Sequence, residues 1–152
     1  MRVSGVAVQI AVAVDLSGKS AHGVRFAAQL ASGLGAELYV VHVLNPDAET
    51  WDAPPALSDE ESTRLLLEER EAALGELTTS LELPVAAIPV VRAAAGVRPE
   101  DLLDELAVEL DAAFVVVPTQ RESGLRGFFL GSFAERFFKL SRLPVLVVPP
   151  SE

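Results

Sequence analysis

Apolar positions along the chain fall into two alternating kinds of segment. Five short runs rich in valine or isoleucine are hydrophobic at nearly every position: Val6 to Val14, Leu38 to Leu44, Val85 to Val91, Phe114 to Val117 and Val145 to Val148. Strands show such continuous runs, rather than apolar and polar alternation, when helices cover both faces of their sheet. The runs therefore predict the buried strands of a parallel sheet.

The segments between them carry helical spacing and helix ends. Ala21, Val24, Ala27 or Ala28, Ala31 and Leu34 form one apolar stripe, and Gly35 stands where a helix end takes a left-handed residue. Ser58 and Glu61 have the capping-box form, which opens a second helix reaching about Leu81. Pro99 at a first helical position, with Glu100 and Asp101 facing the positive end of the dipole, opens a third. Its stripe is Leu102, Leu103, Leu106 and Leu110, and Asp111 or Ala112 closes it. Ser132 and Glu135 repeat the capping box, and Phe133, Phe137 and Leu140 follow until Pro144 forces an extended chain. The predicted order is βαβαβαβαβ. Short loops and right-handed crossovers turn that order into an α/β fold, a single doubly wound five-stranded parallel sheet with helices on both faces. Ligands of such sheets bind outside the carboxyl ends of the strands, where strand order reverses. The candidate segments are thus Asp15 to Ser20, Val43 to Pro46, Arg92 to Arg98 and Pro118 to Ser132.

Composition narrows the function classes. The 152 residues are half hydrophobic, and a chain of that length buries about 68–70% of the surface it exposes when unfolded, so one domain over residues 1–152 is expected. With no cysteine and two histidines, no disulfide framework, thiolate site or His-rich metal site is expected. A net charge of -10 repels phosphate backbones and anionic headgroups, so neither nucleic acid nor a membrane surface is an expected partner. No apolar run approaches the roughly 20 residues of a membrane span. Gly5 to Val14 behind Arg2 has some features of a secretory signal, but Gln9 interrupts it and Asp15 follows directly. The expectation is a soluble, unexported, cytoplasmic protein. Charge is also uneven: eleven acids against Arg64 and Arg70 between Asn45 and Glu82 leave a local net of -9, which a solvated helix face explains. Between Thr119 and Arg142 five cations (Arg121, Arg126, Arg136, Lys139, Arg142) oppose Glu122 and Glu135, a net of +3, so an anion prefers this end.

Candidate chemistry is sparse. Gly131 and Ser132 open a helix behind a loop, and unpaired backbone N–H groups with a helix dipole make an anion site there, unless Ser132 serves only as a cap. Neither G-x-G-x-x-G after the first strand nor a P-loop is present, since "VDLSGKS" lacks the earlier glycine. Asp15 is a lone carboxylate without the second acid or ligands that catalysis or a metal needs. His42 lies in an apolar strand as a core histidine, His22 lies on the surface of the first helix, and no nucleophile motif is present. Five of the seven phenylalanines fall between Phe128 and Phe138, where core packing, a filled crevice and a subunit interface are all open.

Two segments carry a family resemblance. "IAVAVDLSGKSAHGVRFAAQLASGLGAELYVVHVL" and "SGLRGFFLGSFAERFFKLSRLPVLVVP" resemble the universal stress protein family, and the likeness covers nearly the whole chain. It implies a five-stranded parallel sheet of the adenine nucleotide alpha hydrolase-like kind, a stress-response or regulatory role with an unknown partner, and dimerisation through the last strand, here Val145, Leu146, Val147 and Val148. Nucleotide-binding members carry G-x-x-G, nine residues, then G-[ST] after the fourth strand. Aligned on Gly131 and Ser132, the first two glycine positions fall on Pro118 and Arg121. Proline offers no N–H to a phosphate, and arginine adds a side chain where the loop should approach the ligand. The resemblance places Asp15 against the nucleoside, Val43 against the base through its backbone, and Thr119, Arg121, Gly131 and Ser132 at a weakened phosphate end for ATP with magnesium. Two outcomes are open there. Either Arg121 and Arg126 replace the lost donors, keeping a nucleotide-dependent switch or slow ATPase, or the crevice is filled and silent. The altered glycines favour the second and the family branch that lacks the motif.

Overall fold

The computed structural model describes residues 2–3, 6–16, 19–45, 59–119 and 132–150. Among them β1 (Arg2–Val3) and β2 (Val6–Ala7) form a small antiparallel ladder, with Arg2 opposite Ala7. The main sheet holds β3 (Gln9–Ala13), β4 (Glu37–Leu44), β5 (Ala87–Ala93), β6 (Ala112–Pro118) and β7 (Val145–Val148) in the order β5-β4-β3-β6-β7. All four neighbouring pairs are parallel. The crossovers are α1 (Ala21–Leu34), α2 (Asp59–Ser80), α3 (Pro99–Glu109) and α4 (Ser132–Leu140). The predicted doubly wound α/β sheet is thus observed.

Each strand sorts its residues between two cores because successive side chains point to opposite faces. Ile10 and Val12 of β3 and Val14 just beyond it, with Leu38 and Val40, face α1 and α2, where Val24, Ala27, Ala28, Ala31 and Leu74 complete a buried cluster. Ala11, Val41, Val115 and Val117 face α3 and α4, against Leu103, Leu106, Ala107, Ala134 and Phe137. Phe137 is fully buried and its ring stacks on Phe133 with centroids 6.5 Å apart, whereas Phe138 is 57% exposed. Phe128 and Phe129 lie outside the described residues, as does Ser58 of the expected cap of α2.

Helix ends follow their residues. Gly35 closes α1 at φ 63°, and its N–H donates to the Ala31 carbonyl. After α3 the left-handed position falls to Asp111, at φ 56°. Several strands differ from their hydrophobic runs, and β6 spans Ala112–Pro118 rather than Phe114 to Val117. The Val6–Val14 run is divided between β2 and β3, and β5 begins at Ala87 and continues to Ala93. Hydrophobicity reports burial, but the ladder partner decides where a strand ends: Leu83 and Val85 pack on the core as connection, while Arg92 and Ala93 pair with Val43 and Leu44.

Strand order reverses between β3 and β6. The chain steps outward from β3 to β4 and β5, then crosses to β6 and β7. The carboxyl ends of β3 and β6 therefore flank the crevice.

Candidate functional site

Hydrogen-bond parity identifies which main-chain groups face this crevice. In a parallel ladder one residue's N–H and C=O point to the same neighbour, and the next residue's point to the other. The Val14 N–H donates to the Val41 carbonyl at 2.9 Å, so Val41, and by the two-residue repeat Val43, point towards β3. That is the last backbone bond between the two strands' ends. The Val14 carbonyl instead accepts from Nδ1 of the buried His42 at 2.8 Å, which fixes that ring as a structural group of the core. The Val43 main chain consequently faces the space beyond β3.

Asp15 occupies that space. Its carboxylate accepts a 2.9 Å hydrogen bond from Ser20, while its own N–H donates to the same Ser20 oxygen at 3.3 Å. Ser20 is buried and stands at the N-cap position of α1, but its hydroxyl makes no cap bond. The serine thus ties the start of α1 to the end of β3. Leu16, next in the chain, is held at φ 62°, a left-handed conformation costly for a residue with a Cβ.

The β6 side is different. The N–H groups of Val115 and Thr119 donate to the Pro144 and Val148 carbonyls, so odd-numbered residues point to β7 and residue 118 points towards β3 and the crevice. Residue 118 is proline, so the strand end presents no donor there. The paired register of β3 and β6 stops at Val12 and Val116. The Pro118 ring packs on the first turn of α1, where a Cβ added to Gly23 would lie 2.2 Å from Pro118 Cγ. Such an approach disfavours any residue with a Cβ at 23 and sets the Pro118 ring against the first turn of α1. Among the described residues, the crevice-facing position at the end of β6 offers no main-chain N–H to a phosphate.

Of the candidates, Asp15 and Val43 meet at the adjoining ends of β3 and β4. Thr119 is 1% exposed and engaged with β7: its hydroxyl donates to the Val148 carbonyl at 3.3 Å, alongside its N–H. Ser132 opens α4, and Arg121 and Gly131 lie outside the described residues. Ser20 lies in the expected Asp15 to Ser20 segment, whereas Gly23, which packs against Pro118, was not among the candidates. Glycine in the first turn of a helix, a position of low propensity, was the available signal.

The described cations at and after α4 pair with acids of α3 or of α4 itself. Arg136 Nε donates to Glu100 at 3.1 Å, Arg142 Nε donates to Asp104 at 2.7 Å, and Lys139 pairs with Glu135 at 3.2 Å. Glu100 and Asp104 are buried, 2% and 5% exposed. Glu100 adds a cross-helix ion pair to its expected place in the first turn of α3, and Arg121 and Arg126 lie outside the described residues. Arg98 is exposed and forks onto Asp101 at 2.7 and 3.2 Å, hydrogen bonds that raise its pKa above the usual arginine value. His22 also departs from expectation: it is half-buried, and its Nε2 is buried without a partner among the described residues.

Among the described residues no group of three or more His, Asp or Glu side chains is arranged to hold a metal, and no helix is long and apolar enough to cross a membrane.

Sheet order, crevice and helix placement together define a nucleotide-binding-like α/β domain. The universal stress protein family matches residues 9–149, and the chain belongs to that family. No sequence among the curated proteins matches it. Solved structures are similar throughout. A universal stress protein family member from Burkholderia pseudomallei is 24% identical with a TM-score of 0.66, over 94% of this chain and 96% of that one. A universal stress protein in complex with cAMP is 24% identical at TM-score 0.63, covering 95% and 98% of the two chains. The protein from Archaeoglobus fulgidus in complex with dAMP is 26% identical at TM-score 0.56, covering 93% and 98%.

Proposed function

We propose that the chain is a single-domain stress-response regulator, homodimeric through β7, whose crevice retains the nucleoside end of a nucleotide site but has lost its grip on polyphosphate. It carries no catalytic group and acts through a regulatory partner. One observation carries this reading: the crevice-facing position at the end of β6 is Pro118, without an N–H and with its ring against Gly23. The cAMP and dAMP complexes of similar proteins support descent of the crevice from a nucleotide site.

A second reading rests on the other wall. The Val43 main chain points beyond the end of β3, beside the Asp15–Ser20 pair, which supports an ATP- or AMP-binding switch using Gly131, Ser132 and Arg121 as the alternative. Calorimetric titration with magnesium-ATP separates the two. The first reading expects no saturable heat at micromolar concentrations, and saturable binding there establishes the second. Glycine at both altered positions (P118G with R121G) is expected to create or strengthen binding. A double variant that stays folded and gains nothing refutes the account of this loop.

A further inference from the structure

A separate groove runs between α1 and the connection from α2 to β5, towards the amino ends of the strands. Its volume is about 460 Å³, within the range of small-molecule sites. Arg25, Gln29 and Ser32 line one wall, at helical spacings of four and three that place them on one face of α1. Leu81, Glu82 and Leu83 line the other. The leucines turn partly inward onto the core, so this wall is apolar around a single carboxylate.

Both charges are unusual in their setting. Among the described residues Arg25 and Glu82 have no ion-pair partner, each other included, although the other arginines with described side chains are hydrogen-bonded or ion-paired. Glu82 is held at φ 49°, a strained backbone for a residue with a Cβ. It also follows the C-terminus of α2, whose last turn holds no basic residue, so a negative charge is added to the negative end of a helix dipole. A cation seated there relieves that repulsion. An anion seated opposite meets a guanidinium, a carboxamide and a hydroxyl, all groups able to donate to a carboxylate.

We propose that this groove binds a small zwitterion with an apolar body, of the size of a hydrophobic α-amino acid. Its carboxylate lies on Arg25 with Gln29 and Ser32, its ammonium on Glu82, and its side chain against Leu81 and Leu83. The site is independent of the crevice and of any nucleotide there.

The test uses the full chain and L-leucine as probe, read by amide chemical shifts in NMR titration. Leucine is expected to move resonances on both walls saturably, near 25–32 and 81–84. N-acetyl-leucine lacks the ammonium and leucinamide lacks the carboxylate, and each is expected to bind at least about tenfold more weakly, the loss of one charge-assisted contact. R25Q and E82Q alter exposed side chains, leave the fold intact, and are expected to weaken leucine binding by a similar factor. The proposal is overturned if leucine moves neither wall, if leucinamide binds as tightly as leucine, or if R25Q leaves the affinity unchanged.

Discussion

Gly23 and Pro118 are far apart in sequence and form one packing unit at the mouth of the crevice. Alanine normally suits a helix better than glycine by roughly 0.5–1 kcal/mol, so the sign of Gly23→Ala depends on its neighbour. With Pro118 present the added methyl lies 2.2 Å from a ring carbon that is fixed to the backbone. Overpacking of that kind costs about 1–3 kcal/mol. Urea denaturation is expected to show G23A destabilised by that amount in the native background, and neutral or stabilised by up to about 1 kcal/mol when combined with P118G. Equal costs in both backgrounds refute the contact. This pair also marks what the amino-acid order conceals. The missing N–H of Pro118 is legible from residue type, because it belongs to one position. The ring's place on Gly23 is not, because it depends on where α1 settles over β6. The same holds for Thr119: its position at the end of β6 is legible, but not that its hydroxyl turns to Val148.

Helices and strands were legible wherever one local period governed them. The α1 stripe closed by Gly35, Pro99 at the start of α3 and the run Val145 to Val148 all appear as expected. Pairing between elements was not, and α3 with α4 shows why. Counting charges from Thr119 to Arg142 gives a basic surplus, yet its described members face acids of α3 that lie many residues earlier, or an acid within α4. These bonds are unequal in consequence. Removing the arginine takes from a buried carboxylate its shortest side-chain bond, leaving Glu100 with Arg98 at 3.9 Å and Asp104 with the residue 142 N–H, a loss of about 1–3 kcal/mol, whereas an exposed pair such as Lys139 with Glu135 contributes roughly 0.2–1 kcal/mol. R136A and R142A are therefore expected to lower stability by about 1–3 kcal/mol each, and K139A by less than about 0.5 kcal/mol. Chemical denaturation of the three variants checks the order. A K139A loss as large as that of R136A contradicts the assignment of the buried pairs.

At the scale of the whole molecule the two edges of the sheet are not equivalent. On β5 the Ala94 N–H donates to the Leu44 carbonyl, so even-numbered residues face β4 and Pro89 directs its ring nitrogen outward. At that one position an added strand finds no donor, which interrupts the outward row of Ala87, Val91 and Ala93 and is a common way of blunting an edge. On β7 the Pro144 and Val148 carbonyls serve β6, which leaves the N–H and C=O of Val145 and Val147 facing outward between Pro144 and Pro149. An edge of two outward residues bounded by prolines permits a two-fold pairing and resists a growing sheet. The proposed dimer through Val145, Leu146, Val147 and Val148 therefore has a selective probe. Proline at 147 removes an outward N–H and no bond to β6, so V147P is expected to fold like the native chain and run as a monomer in light scattering. L146P instead removes an inward N–H and is expected to lose stability as well. A native chain that is monomeric at working concentration, or a V147P variant that remains dimeric, rules out association through this edge.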